Sequence, residues 1–162
     1  MRVLWVCNIM LPVIAEHIYG QKGFPGGGWM TGFLNGILKE PSVELGICFP
    51  FRQGTEAVRG EIPEKRLKYY GFVPRVKAID RYDDSVEVQM REIVMDFQPD
   101  ILHVFGTEYV HSLSAVRAFN RPERTVINIQ GLTSVYARHY MADLPHRVQR
   151  SFTFRDLLRW DN

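Results

Sequence analysis

Four short apolar runs, spaced apart by helix-like stretches, constrain this chain more than any other feature. They are 2–7 (Arg-Val-Leu-Trp-Val-Cys), 43–49, 101–105 and 125–129. The first, an apolar run with no polar alternation, is the pattern of a strand buried on both faces, as in a parallel sheet, and the other three read as further strands. Between the second and third runs, Val86, Met90, Ile93, Val94 and Phe97 recur at helical spacing. Asp83 and Asp84 open that stretch, where the helix dipole favours acids, and Gln98-Pro99-Asp100 closes it. A second helix is expected over 29–40, stopped by Pro41, with Trp29, Phe33, Leu34, Ile37 and Leu38 as a core-facing stripe. A third is expected over 111–119, and a helical, arginine-rich stretch from Ser134 onward. Strand–helix alternation of this kind predicts an α/β layered fold with a mostly parallel sheet.

Two stretches carry no clear pattern. Residues 8–28 are expected to form a long loop ending in Gly26-Gly27-Gly28. Residues 50–79 are expected to be irregular, with a short strand near 70–73. A loop of that length is either functional or conceals an element. The 162 residues are enough to bury one core, so a single domain over 1–162 is expected.

Composition excludes several classes. The formal net charge of +2 provides no broad basic footprint for nucleic acid. No apolar run approaches the roughly 20 residues of a spanning helix. Met1 leads directly into the first strand-like run, so a signal peptide is not expected and the expected address is cytoplasmic. Cys7 and Cys48 are too few for a disulfide framework and are expected to be reduced, partly buried thiols. His17, His103, His111, His139 and His146 fit no ligand spacing, so no metal is expected. The dinucleotide fingerprint, the P-loop and the nucleophile elbow are all absent.

In open α/β sheets, ligands sit beyond the carboxyl ends of the strands, near a switch in strand order. The loops there supply the candidates. Gly26, Gly27 and Gly28 would bring backbone N–H groups to a phosphate or sugar at a helix start, or simply form a flexible turn. Lys22 would add charge beside them, or be a solvated surface residue. Thr107 and Glu108 follow one buried strand, and Gln130 and Gly131 follow another. Asn8 ends the first strand, where it would meet a ligand or tie down the loop. His103 reads as a core histidine.

Taken in order, several segments resemble a known family. They are the first strand, the delayed glycine-rich loop opening a helix, Pro99-Asp100-Ile-Leu-His-Val-Phe-Gly-Thr107, Glu108-Tyr-Val-His-Ser-Leu113, and Val126-Ile-Asn-Ile-Gln130-Gly-Leu132. This set is similar to the N-terminal domain of GT-B glycosyltransferases of family four. The resemblance implies a Rossmann-like three-layer sandwich that forms the acceptor side of a cleft. A second, donor-binding domain, absent from this chain, would face it. Such enzymes transfer a sugar from a nucleotide sugar to a glycan or lipid-linked acceptor with retention, in cell-surface polysaccharide synthesis, without metal or other cofactor. Gly26–Gly28, Thr107, Glu108, Gln130 and Gly131 would then bind substrate, and no catalytic residue is assigned. Gln130 departs from the family's usual His; Gln keeps a donor and an acceptor but does not titrate. The family's paired acids belong to the absent domain. Glu56 and Glu64 match their spacing only by chance, in a Gly/Pro-broken stretch.

The chain is therefore expected to hold most of one domain of two and to be inactive alone. Its basic stretch, with Arg138, Arg147, Arg150, Arg155 and Arg159, would meet an anionic acceptor or the inner membrane face, or be a solvated helix face. The competing reading is a stand-alone α/β module that binds a small ligand or partner without chemistry.

Overall fold

The computed structural model describes residues 1–20, 26–76, 81–142, 144–151 and 154. They divide into two compact units, 1–130 and 131–162.

The first unit is built on six described strands: β1 (Arg2–Val6), β2 (Glu44–Pro50), β3 (Val58–Ile62), β4 (Leu67–Phe72), β5 (Ile101–Phe105) and β6 (Thr125–Asn128). Their spatial order is β3-β4-β2-β1-β5-β6. Every pairing is parallel except β3 with β4. The sheet is thus mixed but mostly parallel, as expected. β1 lies between β2 and β5, with Trp5 opposite Ile47 on one side and His103 on the other. Strand order therefore reverses at the β1/β5 boundary.

Helices cover both faces. Alternate residues Val3, Trp5 and Cys7 point to a core shared with α1 (Pro12–Tyr19) and α2 (Gly28–Ile37). Leu4 and Val6 point to the opposite core, under α3 (Asp84–Phe97) and α4 (Val110–Phe119). Burial on both faces is why the central strands read as unbroken apolar runs. Cys7 and Cys48 are fully buried rather than partly so, and they fall in different cores.

Three expectations are corrected. The stretch 8–28 is not one loop, because α1 occupies its middle. Pro12 takes the first helical position and Gly20 closes the helix in the left-handed region, its N–H donating to Glu16 O at 2.8 Å. The stretch 50–79 is not irregular either. β3 and β4 form an antiparallel hairpin joined by a 3₁₀ turn, Pro63–Lys65, with Arg66 at φ 51°. Arg66 also reaches back to the carbonyls of Pro41, Leu38 and Glu40, tying the hairpin to the chain that follows α2. Residues 77–80 lie outside the described residues. Finally, α2 ends at Ile37, before Pro41, and its buried residues are Met30 and Leu34. Trp29 and Phe33 are 53% and 42% exposed. They are the outer members of an aromatic group: Phe33 stacks on buried Trp5 at 5.0 Å, and Trp29 leans on Phe105 at 5.7 Å. His103, half-buried in the same group, is held below its ordinary pKa by burial.

The second unit contains α5 (Thr133–Arg138) and α6 (His146–Gln149), where Arg138, Arg147 and Arg150 are exposed. Arg155 and Arg159 lie outside the described residues. No described helix is long and apolar enough to cross a membrane.

Candidate functional site

A parallel strand delivers its following loop, and the start of its following helix, to the carboxyl edge of the sheet. At the β1/β5 reversal, three helix starts come to that edge: α1 and α2 after β1, and α4 after β5. Each start leaves backbone N–H groups without helical partners. The N-cap residues here are Leu11, Gly27 and Tyr109, and none supplies a side-chain cap. None of the three helices has an acid in its first turn. The first turns are therefore donor-rich and carry no carboxylate of their own; the acid nearest them is Glu108, which directly precedes the Tyr109 N-cap and sets its Oε2 beside Gly106 and the Asn8 amide.

Gly27 has to be glycine. Its φ is 83°, and a Cβ there would stand 2.8 Å from both the Pro12 ring and Thr31 Oγ1. That close approach locks the start of α2 against the start of α1. Gly106, directly after β5, is equally constrained: its φ is 90°, and a Cβ would collide with Glu108 Oε2 and press on Asn8 Nδ2. Its carbonyl accepts from Ser112 Oγ at 3.0 Å, and its N–H donates to Asn128 O at 2.8 Å.

Asn8 and His111 join the two sides of the reversal. Asn8 Oδ1 and His111 Nε2 lie 3.0 Å apart. The amide oxygen is an acceptor, so the neutral Nε2–H tautomer of the imidazole is the donor. Burial, and then the Arg52 charge, push the His111 pKa down to about 4. Tyr109 stacks on the imidazole at 5.4 Å, and Phe72 packs against it at 5.3 Å.

Beside this pair lies a cleft of about 230 Å³. Asn8, Gly26, Arg52, Gln53 and Tyr109 line it, with Ile9, Met10 and Pro50 as its apolar wall. Among the described residues that lining holds one cation and no acid. A second cleft, about 410 Å³ and mainly apolar, lies between β5, β6 and α4, with Thr107, Glu108, Leu113 and Ile127 among its walls. Glu108 Oε2 itself is buried without a hydrogen-bond partner, beside Gly106 and the Asn8 amide. A third cleft, of about 300 Å³, lies where Tyr70 OH donates to Asp96 Oδ2 at 2.6 Å.

The residues named from sequence are therefore distributed. Gly26 lines the first cleft, and Gly27 and Gly28 form the start of α2 beside it. Thr107 and Glu108 line the second cleft. Gln130 is exposed beyond the end of β6, and Gly131 belongs to the second compact unit. Lys22 lies outside the described residues. Sequence reasoning missed Arg52 and Tyr109. Arg52 carries one signal that could have found it: it is the second residue after a buried parallel strand. Among the described residues no three His, Cys, Asp or Glu side chains converge. No family model, curated protein or solved structure matched this chain when it was compared with them.

Proposed function

We propose that this chain is the acceptor-side domain of a retaining, nucleotide-sugar-dependent glycosyltransferase of the GT-B architecture, acting in glycan or lipid-linked acceptor synthesis. The observation that carries the reading is the open, donor-rich edge at the β1/β5 reversal, with the glycine turn of α2 beside the cleft. Sugar transfer from a nucleotide sugar needs two things from such an edge. One is hydrogen-bond donors that hold a sugar in place, and the other is fixed positive potential near a leaving phosphate. Uncapped N–H groups and the Asn8 amide are groups of that kind. No side chain of this unit is assigned a proton-transfer step. His111, neutral from about pH 4 upward, acts as a hydrogen-bonding group.

A second domain in the complete protein would bring the nucleotide. The exposed arginines of the second unit would face an anionic acceptor or the cytoplasmic membrane surface. The test uses the complete reading frame and the 162-residue chain side by side. Radiolabelled UDP- and GDP-sugars are supplied with crude glycan and lipid acceptors. Transfer is expected from the complete protein alone, and UDP and GDP are expected to bind the 162-residue chain only weakly. Transfer by this chain alone, or tight nucleotide binding to it, would overturn the assignment of sides. A complete protein that binds a small ligand but transfers nothing would favour the non-catalytic module.

A further inference from the structure

We infer that the cleft lined by Asn8, Arg52, Gln53 and Tyr109 is a subsite for a phosphate ester carried by the acceptor, with Arg52 as the residue that grips it. The word acceptor rests on the transferase reading; the phosphate chemistry rests on the cleft itself. Arg52 follows β2 by two residues, so the strand delivers its guanidinium to the carboxyl edge. Among the described residues it enters no ion pair. Its charge is felt at His111, whose pKa burial and then Arg52 push down, and an imidazole supplies no negative charge to offset a guanidinium in either protonation state. Among the described residues the cleft lining contains no acid either. The exposed Arg52 guanidinium stands in an open groove with the Asn8 and Gln53 amides and the Tyr109 hydroxyl, and none of these partners carries a charge that offsets it. Guanidinium offers paired N–H donors in a fixed fork that matches a phosphate or carboxylate edge.

Size and surroundings narrow the ligand. The volume of about 230 Å³ is below the range of pockets that enclose a whole drug-sized molecule. It suits one group of a larger ligand, with the remainder extending outside. The wall of Ile9, Met10 and Pro50 is apolar and offers packing to the carbon skeleton that carries the ester. The uncapped starts of α1, α2 and α4 add to the same sign of potential. The ester has two natural sources, a soluble sugar phosphate and a phospholipid-type headgroup, which share this recognition chemistry.

The test is an amide NMR titration of the 162-residue chain with glucose 1-phosphate and with glucose, paired with co-sedimentation on phosphatidylcholine vesicles with and without phosphatidic acid. Glucose 1-phosphate is expected to move the Asn8, Gln53 and Tyr109 signals and to bind about tenfold or more tightly than glucose. Arg52→Gln is expected to weaken that binding about tenfold, with Arg52→Lys in between because Lys lacks the fork. Arg59→Gln, on the exposed face of β3, is the control expected to change nothing. Arg52-dependent pelleting with phosphatidic acid, without glucose 1-phosphate binding, supports the subsite and assigns the ester to a lipid. Equal affinity for glucose and its phosphate, unchanged binding in Arg52→Gln, or no binding of either phosphate source overturns it. Arg52→Gln in the complete protein separates this inference from the transferase reading. An unchanged acceptor KM with transfer intact sinks the subsite alone. Phosphate-ester binding without any transfer sinks the transferase reading alone.

Discussion

Two regions of the same sheet edge handle helix starts in opposite ways. At the end of β4, α3 begins with Asp83, whose carboxylate accepts from the N–H groups of Ser85, Arg75 and Val76 and from the Ser85 hydroxyl. Asp84 and Glu87 add acid to its first turn. Burial alone would raise the Asp83 carboxyl. The hydrogen bonds from Ser85, Val76 and Arg75 outweigh it and hold the group below the usual carboxylate range. At the β1/β5 reversal, α1, α2 and α4 begin with no side-chain cap and no acid in their first turns, beside Arg52. The first region consumes its donors internally, and the second leaves them available. A helix start that stabilises the fold and one that serves a ligand are thus distinguished by where the compensating charge resides.

The comparison can be broken first at its closed end. Asp83→Ala orphans three backbone N–H groups that the carboxylate serves, and is expected to cost about 3 kcal/mol in urea unfolding at neutral pH. A loss no larger than that of an average surface substitution would remove the contrast between the two starts. Because the Asp83 pKa is depressed, its contribution is present above the ordinary value of 3.8 and lost as pH falls through the lower folded value. Asp83→Ala and wild type should therefore converge in strong acid.

The open end has its own acid signature, in a different window. His111 is depressed from 6.5 to about 4, so the unfolded chain binds the extra proton first. Its contribution is complete above 6.5 and declines as pH falls toward 4. Wild type is expected to lose about 2 kcal/mol between neutral pH and about pH 4.5. His111→Phe, which retains ring contact with Phe72 and Tyr109, should flatten that part of the profile. An unaltered profile would place the imidazole in water rather than in the core.

The smallest expected stability effect sharpens the contrast most. Tyr109→Asp gives α4 the kind of cap that α3 has. A cap gain of about 1 kcal/mol is set against a lost stack of similar size, so stability should hardly move. Glucose 1-phosphate affinity should nevertheless fall about tenfold, because a carboxylate now occupies the electropositive cleft. Stability and affinity moving together would show that the open start serves folding.

The parts of the fold that sequence revealed are those where one physical signal dominates. Over 84–97, stripe, acidic cap and terminator agree, and α3 follows them to within a residue. β5 is legible because its burial leaves apolar residues at every position except His103. α1 was hidden because its N-cap is Leu11 and its apolar residues surround most of its circumference. β3 was hidden because Val58-Arg-Gly-Glu-Ile62 is an edge strand with a central glycine, and its turn uses Arg66 where glycine would be the signal. Trp29 and Phe33 have the right period for a core stripe, but period cannot say whether a neighbouring element covers it. The same limit applies to the cleft. Asn8 was visible as a strand end, whereas bringing Arg52 beside Tyr109 depends on β2 and β5 flanking β1, a fact of topology rather than of any local pattern.

The two thiols give the sheet a built-in clock. Cys7 faces the layer of α1 and α2, and Cys48 faces the layer of α3 and α4. Burial holds Cys7 well above its ordinary pKa and raises Cys48 to about 12, so neither reacts as a thiolate while its layer is closed. Each alkylation event in native buffer therefore timestamps the lifting of one particular helical layer. Peptide mapping of the label would order the opening of the two faces without any added probe.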